Sequence, residues 1–397
     1  MNIIHRTIFP TLQQAMNDQR IMVITGMRRV GKTTTLQWLL EQIPSNNKLL
    51  MDLERRDQRE IFQESNYERV MDYFQNVGLD PNSPMTIALD EIQYAPQLPS
   101  VVKYLYDKYP IKFLLTGSSS FYLKNLFNES MAGRKVVYEM FPLGFGEFLD
   151  FHGISYRRRT DLNDMRFDPH EYQRLDHLYE EYIRFGGLPN VVLEPQPETR
   201  REILLDIFSS YINRDVQAMA DFRKIGELQN LLQLLSMRIG NKLDLSKLSQ
   251  IVGISRPTLN EYLEFLEKTY LIHQLPAFAG ADRSTALGKK LYFRDNGIAS
   301  ILGQLGEGAL FENAIFNQLY PYGKLAYLNK GNSFEIDFIL SRENNKPVGL
   351  EVKYHPITSD QTKLKRNAVK QGLAHAWLVG RHPTPEFSDF LWGGSIF

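Results

Sequence analysis

The chain has 397 residues, 43% of them hydrophobic and 23% charged, with 46 basic and 46 acidic side chains and no cysteine. This length exceeds one ordinary core, so two or three domains are expected. Because the net charge is zero, the chain as a whole has no positive electrostatic field that would attract nucleic acid. The lack of cysteine excludes disulfides, thiolate metal sites and cysteine nucleophiles. With no signal peptide and no apolar run near the ~20 residues of a membrane span, a cytoplasmic protein without membrane contact is expected.

The first part of the chain alternates short apolar runs with helical stretches. Residues 21–25, 86–90 and 112–117 are β-rich and apolar, and a helix is predicted from about 32 to 42. Strands of this kind are typical of a parallel sheet covered on both faces. The predicted fold class is therefore α/β, with a P-loop NTPase sheet.

Residues 26–33 read GMRRVGKT and match the phosphate-binding pattern GxxxxGK[ST], with a strand before and a helix after. Two glycines let the backbone wrap around the β-phosphate, and the helix adds the positive end of its dipole. The lysine would reach the β- and γ-phosphates, and the following threonine would join the Mg²⁺ shell. ATP and Mg²⁺ are therefore the predicted ligands. The predicted nucleotide contacts are Gly26, Met27, Arg28, Arg29, Val30, Gly31, Lys32, Thr33, Thr34 and Asp90.

Polar side chains end the next two strands. Asp90 is predicted to bind Mg²⁺, and Glu91 to polarise the water that attacks the γ-phosphate. Thr116 and Ser118 are candidates for contacting the γ-phosphate, or else they cap the following helix. Arg134 could bind the γ-phosphate of its own chain, act on a neighbouring copy in a homo-oligomer, or be structural.

The middle of the chain, about 169–285, is predicted to be helical. Asp168 is a predicted N-cap, Gly186 a predicted stop, and 244–272 read as helix, turn, helix with Gly253 in the turn. In DNA-binding versions of this arrangement the second helix enters the major groove. Acidic side chains on this helix, namely Glu261, Glu264 and Glu267, favour a packing or protein-interaction role instead, although Arg256 and Asn260 remain candidate DNA contacts.

Strands are predicted again near the end of the chain, at 334–340, 348–354 and 375–379. Glu351 and Lys353 share one face of a strand because side chains alternate, and Asp337 lies on a neighbouring strand. Together with Glu312 on a helix, these groups could bind a second Mg²⁺ at Asp337 and Glu351 and hydrolyse phosphodiesters. The alternative is an exposed ladder of charges. Basic residues follow and could track a phosphate backbone or form a solvated helix face: His355, Lys363, Lys365, Arg366 and Lys370.

The chain resembles a prokaryotic AAA-type ATPase family in the order of six motifs. These are the P-loop, LDE (89–91), TGSS (116–119), AGR (132–134), PLGFGEFL (142–149) and FGGLP (185–189). The resemblance implies an ATPase core (1–165), a helical segment (166–285) with a winged helix at about 230–285, and a nuclease-like domain (286–397). The acid, Asp, Glu-x-Lys order resembles the PD-(D/E)xK nuclease fold, with Ile336 where the motif has proline. No second sensor arginine of the AAA+ type follows the core.

The sequence is compatible with two functions. The first is Mg²⁺-dependent ATP hydrolysis coupled to DNA or RNA binding or processing by the C-terminal domain, with Glu312, Asp337, Glu351 and Lys353 as its catalytic set. The second is a regulatory ATPase switch whose C-terminal domain is an inactive protein-interaction platform. Neutral charge favours the switch, whereas the acid–lysine set and the basic residues favour nucleic acid.

Overall fold

The computed structural model describes residues 3–119, 133–158, 162, 167–216, 225–279, 284, 287–331, 334–343, 345–373, 375–385 and 387–396. They form two compact units. Unit 1 comprises Met1–Phe141 and Lys268–Tyr270, and unit 2 comprises Pro142–Glu267 and Leu271–Phe397. The predicted domain boundaries near 165 and 285 lie outside the described residues, so the three-domain division stays a prediction.

Unit 1 contains a five-stranded parallel sheet with the strand order β2-β3-β4-β1-β5. Its elements in chain order are α1 (Phe9–Ala15), β1 (Ile21–Thr25), α2 (Lys32–Glu41), β2 (Lys48–Asp52), α3 (Arg56–Arg59), a 3-10 turn (Glu60–Gln63), α4 (Glu68–Asn76), β3 (Met85–Asp90), a 3-10 turn (Ile92–Tyr94), α5 (Leu98–Lys108), β4 (Ile111–Gly117) and β5 (Lys135–Glu139). Because all strands run the same way, their carboxyl ends meet at one edge of the sheet.

The apolar strands of unit 1 are buried, as their sequences predict. Every residue of β1 and β3 is buried, so both faces of the sheet are covered. Apolar side chains of α4 and α5 pack into the same core as the strands. The three predicted strands and the predicted helix at 32–42 are confirmed to within one residue.

The first part of unit 2 is helical and ends in a two-stranded antiparallel sheet. Its elements are α6 (Phe145–Phe151), α7 (Pro169–Phe185), α8 (Pro189–Val192), α9 (Pro197–Ser210), a π-helical turn (Tyr211–Val216), α10 (Ile225–Ser236), α11 (Leu245–Val252), α12 (Arg256–Lys268), β6 (Ile272–Leu275) and β7 (Lys290–Phe293). Asp168 caps α7, because its side chain accepts hydrogen bonds from the amides of His170 and Glu171. The predicted helix, turn and helix are confirmed, with Gly253 left-handed between them.

The last part of unit 2 builds a five-stranded mixed sheet with the strand order β12-β11-β10-β9-β8. The elements are α13 (Asn296–Leu302), α14 (Glu307–Leu319), a 3-10 turn (Tyr320–Tyr322), β8 (Lys324–Asn329), β9 (Glu335–Ser341), β10 (Val348–Lys353), α15 (Thr358–Lys370), β11 (His375–Gly380), β12 (Leu391–Trp392) and a 3-10 turn (Gly393–Ser395). The β8–β9 and β9–β10 pairs are antiparallel, whereas β10–β11 and β11–β12 are parallel. The three predicted strands are confirmed as β9, β10 and β11.

One surface prediction for α12 needs correction. Glu261 and Glu264 are exposed, but Glu267 is only partly exposed and accepts hydrogen bonds from the backbone and side-chain amides of Gln274. Glu267 is therefore tied to β6 and contributes less to an acidic surface than the other two. Within the described parts of the chain, no helix is long and apolar enough to cross a membrane.

Candidate functional site

The phosphate-binding loop has an unusual backbone between β1 and α2. Gly26, Arg29 and Gly31 have φ angles of 149°, 69° and 97°. A Cβ atom at Gly26 would lie 2.1 Å from the carbonyl oxygen of Met140, so a side chain cannot be accommodated there. Turns of this kind direct successive backbone N–H groups into one concave surface, which is suited to an anion.

Lys32 begins α2 and is almost completely buried. Its ammonium donates hydrogen bonds of 3.0 Å to the carbonyl oxygens of Gly26 and Met27. The charge therefore lies inside the curve of the loop, next to the amino end of a helix. Both features favour the phosphates of a nucleotide.

The remaining predicted loop residues have different surroundings. The Arg28 guanidinium donates to the Tyr94 hydroxyl at 3.3 Å, and Arg29 and Thr34 are exposed. The Val30 carbonyl accepts a 2.9 Å hydrogen bond from buried Arg6.

Arg6 was missed by the sequence reasoning. Its guanidinium also donates to the Phe141 carbonyl at 2.9 Å, so it fixes the back of the loop to the segment that follows β5. A single arginine before a short helix carries no motif, so no sequence pattern could have identified it.

Asp90 lies at the carboxyl end of β3, beside the loop. Its carboxylate accepts hydrogen bonds from the hydroxyl of Thr33, at 2.5 Å, and from that of Thr116. Burial raises the pKa of Asp90 above its ordinary value, and the two hydroxyl hydrogen bonds oppose that shift. Thr33 and Asp90 are thus brought together as predicted, and two oxygen ligands side by side suit Mg²⁺.

Glu91 is the next residue and has a left-handed backbone with φ 53°. Its amide donates to the Thr116 hydroxyl at 3.1 Å. Its carboxylate accepts a 2.5 Å hydrogen bond from the side-chain amide of Gln93, and that amide also donates to Ser118 at 3.0 Å. Gln93 is buried and links two residues that the sequence singled out, although nothing in its own spacing predicts this role.

Arg134 is not brought to this site within its own chain. It directly precedes β5, and its carbonyl oxygen accepts a hydrogen bond from the amide of Ile21, the first residue of β1. Arg134 therefore lies at the amino ends of the parallel strands, whereas the loop follows their carboxyl ends. Its guanidinium forms an ion pair with Asp107 at 3.0 Å. Of the AGR motif, Ala132 lies outside the described residues.

A second group of charged residues forms in unit 2. Glu312 comes from α14, Asp337 from β9, and Glu351 and Lys353 from β10. The Lys353 ammonium contacts the Glu351 carboxylate at 2.6 Å, and one oxygen of Asp337 accepts a 2.9 Å hydrogen bond from the amide of Val352. We call Glu312, Asp337, Glu351 and Lys353 the acidic cluster.

The members of the acidic cluster affect one another electrostatically. Burial and the neighbouring Asp337 charge raise the pKa of both Glu312 and Glu351 to about 7. Glu312 also accepts a 2.7 Å hydrogen bond from the Tyr292 hydroxyl. The four predicted residues therefore lie together and are partly buried, with the side chains of Glu351 and Lys353 17% and 37% exposed. The alternative was a fully exposed ladder of charges.

Lys290 on β7 is a further member that the sequence reasoning missed. Its buried ammonium forms ion pairs with Glu335 and, at 3.4 Å, with Asp337. Burial alone would lower the pKa of Lys290, but the charges of Asp337 and Glu312 and the hydrogen bond to Glu335 outweigh burial and raise it.

The acidic cluster meets the requirements of a metal ion only in part. One carboxylate oxygen of Glu351 is buried without a hydrogen-bond partner in the described part of the chain, as expected of an atom that awaits a ligand. However, no three carboxylate or histidine side chains among the described residues are grouped closely enough to form a metal site. Asp337 and Glu351 are the residues that would hold the ion.

Comparisons with known proteins agree with the loop geometry. Residues 18–149 match the model of a family described as an AAA domain. Residues 176–308 and 307–384 match two domains of unknown function, DUF8612 and DUF4143.

Similar full-length proteins add no functional description. An uncharacterized protein of Methanocaldococcus jannaschii is 27% identical over 348 residues, which is 82% of this chain and 73% of that protein. An uncharacterized protein of Haemophilus influenzae is 26% identical over 333 residues, covering 80% of this chain and 79% of that one.

One solved structure is similar in fold. The Walker-type ATPase of Pyrococcus abyssi has a TM-score of 0.51 at 15% identity, covering 76% of this chain and 96% of that one. The structural likeness shows a shared fold, and the family match supports an AAA-type P-loop ATPase domain at residues 18–149 that binds and hydrolyses ATP.

Proposed function

We propose that unit 1 hydrolyses ATP with Mg²⁺, and that Glu91 is the group that polarises the attacking water. Lys32 would pair with the β- and γ-phosphates, Thr33 and Asp90 would hold Mg²⁺, and Ser118 would contact the γ-phosphate. When bound, Mg²⁺ supplies positive charge that offsets the charge on the phosphoryl oxygens. The observation that carries this proposal is the contact between Thr33 and Asp90 at the mouth of the loop.

The division of roles between the two acids follows from their partners. Both oxygens of Asp90 accept hydrogen bonds from hydroxyl groups that flank the loop, so its carboxylate is fixed in place as a metal ligand must be. Glu91 is held instead at one carboxylate oxygen by the side-chain amide of buried Gln93. A carboxylate oriented in this way could use its other oxygen to accept a proton from a water molecule.

Two variants test the assignment. Lys32→Ala should abolish binding of a fluorescent ATP analogue, because it removes the charge that faces the phosphates. Glu91→Gln should bind the analogue normally but lower kcat by about a hundredfold or more. Glu60→Gln, at an exposed carboxylate of the same unit, is the control and should behave as wild type. Wild-type kcat in Glu91→Gln would show that another group polarises the water.

We further propose that the acidic cluster acts on the phosphodiester backbone of DNA or RNA. The proposal is supported by the meeting of Glu312, Asp337, Glu351 and Lys353 in one partly buried place. It is also supported by the order of acid, Asp and Glu-x-Lys along the sequence, which resembles the PD-(D/E)xK nuclease fold. Two carboxylates could hold a divalent ion there, and the Lys353 ammonium could steer a metal-bound water molecule by donating a hydrogen bond to it.

Exposed positive charge close in sequence to the acidic cluster fits a nucleic-acid ligand. The helix α15 follows β10 by a short connection and carries four exposed basic side chains: Lys363, Lys365, Arg366 and Lys370. Clustered basic side chains of this kind bind phosphates without regard to sequence. Nucleic acid could thus be held near the cluster even though the whole chain is neutral.

The test uses full-length protein carrying Lys32→Ala, so that ATP hydrolysis does not interfere. This protein is incubated with Mn²⁺ and labelled single- and double-stranded DNA and RNA. Cleavage that is lost in Asp337→Asn and Lys353→Ala supports a nuclease. Binding of nucleic acid without cleavage in Mn²⁺ supports a nucleic-acid-binding site, and the absence of both binding and cleavage would refute the proposal.

A regulatory switch is the second candidate, and the ion pair between Lys290 and Asp337 favours it. A cluster that is neutralised internally needs no metal and can serve as a rigid interaction platform. The exposed Glu261 and Glu264 on α12 also favour a protein partner over DNA. The two candidates differ in a simple rate: DNA or RNA should raise the ATPase kcat of a nucleic-acid machine but leave that of the switch unchanged.

A further inference from the structure

Two residues of β7, which belongs to the two-stranded sheet, donate hydrogen bonds to carboxylates of the acidic cluster. Lys290 and Tyr292 are two positions apart on a strand, so their side chains lie on the same face. The Lys290 ammonium pairs with Asp337 and Glu335, and the Tyr292 hydroxyl donates to Glu312 at 2.7 Å. One strand therefore supplies a positive charge and a hydrogen bond to two of the three cluster carboxylates.

We propose that Lys290 is a built-in counter-ion of the acidic cluster, so that a divalent metal binds at Asp337 and Glu351 only when this ammonium leaves Asp337. This inference rests on the proposed phosphodiester-directed function of the cluster. It adds that the site is closed to metal in the conformation described here.

The hydrogen bonds of the carboxylates carry the argument. One oxygen of Asp337 faces the Lys290 ammonium at 3.4 Å, and the other accepts the Val352 amide at 2.9 Å. One oxygen of Glu351 contacts Lys353, and the other is buried without a partner among the described residues. A hard cation needs several oxygens at once, and only one oxygen of these two residues is available.

Electrostatics makes the competition strong. Lys290 is only 3% exposed, so water screens its charge poorly and an added divalent ion nearby would be repelled. An alternative partner for the ammonium is already in place, because Glu335 also pairs with it and is partly exposed. Lys290 can therefore release Asp337 without becoming an unpaired buried charge, which makes the displacement feasible.

The experiment measures Mn²⁺ binding by electron paramagnetic resonance on full-length, nucleotide-free protein. All proteins carry Lys32→Ala, which prevents nucleotide from being retained, and Asp90→Asn, which removes the proposed metal ligand of unit 1. Lys290→Met removes the charge but keeps the length of the side chain, whereas Lys290→Arg keeps the charge. We expect Lys290→Met to bind one Mn²⁺ at least about tenfold more tightly than the parent, and Lys290→Arg to match the parent.

A second substitution locates the ion. Adding Asp337→Asn to Lys290→Met should abolish the gained binding, because the proposed ligand is lost. Tryptophan fluorescence checks that each variant is folded, and Lys290→Gln replaces Lys290→Met if the latter does not fold.

The remaining outcomes separate this inference from the function on which it rests. If the parent and Lys290→Met bind Mn²⁺ equally well at Asp337, Lys290 is not a competitor, and the metal-dependent function stands. If neither binds, both the inference and the metal-dependent part of the proposed function are refuted.

Discussion

Glu312 provides a test of the electrostatics of unit 2 that is independent of any activity. Burial and the charge of Asp337 raise its pKa to about 7 from an ordinary value of 4.5. A carboxyl with a higher pKa in the folded chain than in the unfolded chain binds its proton more tightly when folded. Its contribution to stability is therefore fully present below about pH 4.5 and is lost as the pH rises through about 7.

The size of the effect follows from the two pKa values. The difference between about 7 and 4.5, at about 1.4 kcal/mol per pH unit, gives a total loss of between about 3 and 4 kcal/mol at alkaline pH. Glu312→Gln has no proton to lose, and its carbonyl oxygen can still accept the hydrogen bond from Tyr292. The quantity to compare is the free energy of unfolding of the variant minus that of wild type. This difference should be up to about 3 kcal/mol larger at pH 8 than at pH 5.

Urea unfolding between pH 5 and 8, with a chelator present, measures this difference. Trp377 and Trp392 report on unit 2, and Trp38→Phe removes the fluorescence signal of unit 1 in both proteins. Any constant effect of the amide cancels, because only the change with pH is compared. Parallel pH profiles of wild type and Glu312→Gln would refute the reasoning.

Glu335→Gln is the matched control because its sign is opposite. Burial would raise the pKa of Glu335, but the hydrogen bond and charge of Lys290 outweigh burial and lower it. Glu335 therefore contributes stability above its ordinary pKa of 4.5, and this contribution is lost as the pH falls through the lower folded value. The control variant should be less stable than wild type at pH 8 and should approach wild type in acid.

Two further predictions concern unit 1. Gln93→Leu should lower kcat about tenfold or more with KM for ATP nearly unchanged, because it removes the hydrogen bond that holds the Glu91 carboxylate and leaves the phosphate-binding loop intact. Steady-state kinetics measures both constants, and a change in KM alone would contradict the prediction. Arg134→Ala should leave kcat of dilute, monomeric protein within about twofold, because Arg134 pairs with Asp107 at the opposite edge of the sheet. The ATPase rate per molecule could instead rise with protein concentration in wild type and stay constant in Arg134→Ala. That result would show that this arginine acts on a neighbouring copy of the chain.

The phosphate-binding loop could be predicted from the sequence because its strand, loop and helix are contiguous, whereas the roles of its side chains stay predictions. The strand, loop and helix at 21–42 form one local unit, and Asp90 and Glu91 follow a strand whose apolar run marks it as buried. What sequence could not provide were contacts between distant segments. Gln93 and Arg6 act on the site through hydrogen bonds to Ser118 and Val30, and neither belongs to a repeating pattern.

Arg134 is a residue that the sequence singled out but the fold places away from the loop of its own chain. Its position at the end of the AGR motif suggested a role beside the γ-phosphate, but position along the chain does not indicate which edge of a sheet a residue occupies. Because β5 is parallel to β1, the residue before β5 lies at the amino edge. The direction of a single strand therefore excluded contact with the loop of the same chain.

The closeness of Asp337, Glu351 and Lys353 could be predicted, since strand alternation fixes which side chains share a face, and their function stays a prediction. Its charge balance was not predictable. Lys290 belongs to a strand in a different sheet, 47 residues before Asp337, and only the folded chain brings the two together. Sequence reasoning counted the carboxylates without the cation that neutralises one of them.

The two carboxylate sites differ in what a metal ion must displace. At Asp90 the partners are the hydroxyls of Thr33 and Thr116, which are neutral and can turn away without leaving a charge behind. At Asp337 the partner is the ammonium of Lys290, whose release costs more because a buried charge must move to Glu335. On the proposed assignments, the first site would exchange its metal with every nucleotide, whereas the second would resist metal until Lys290 moves away from Asp337.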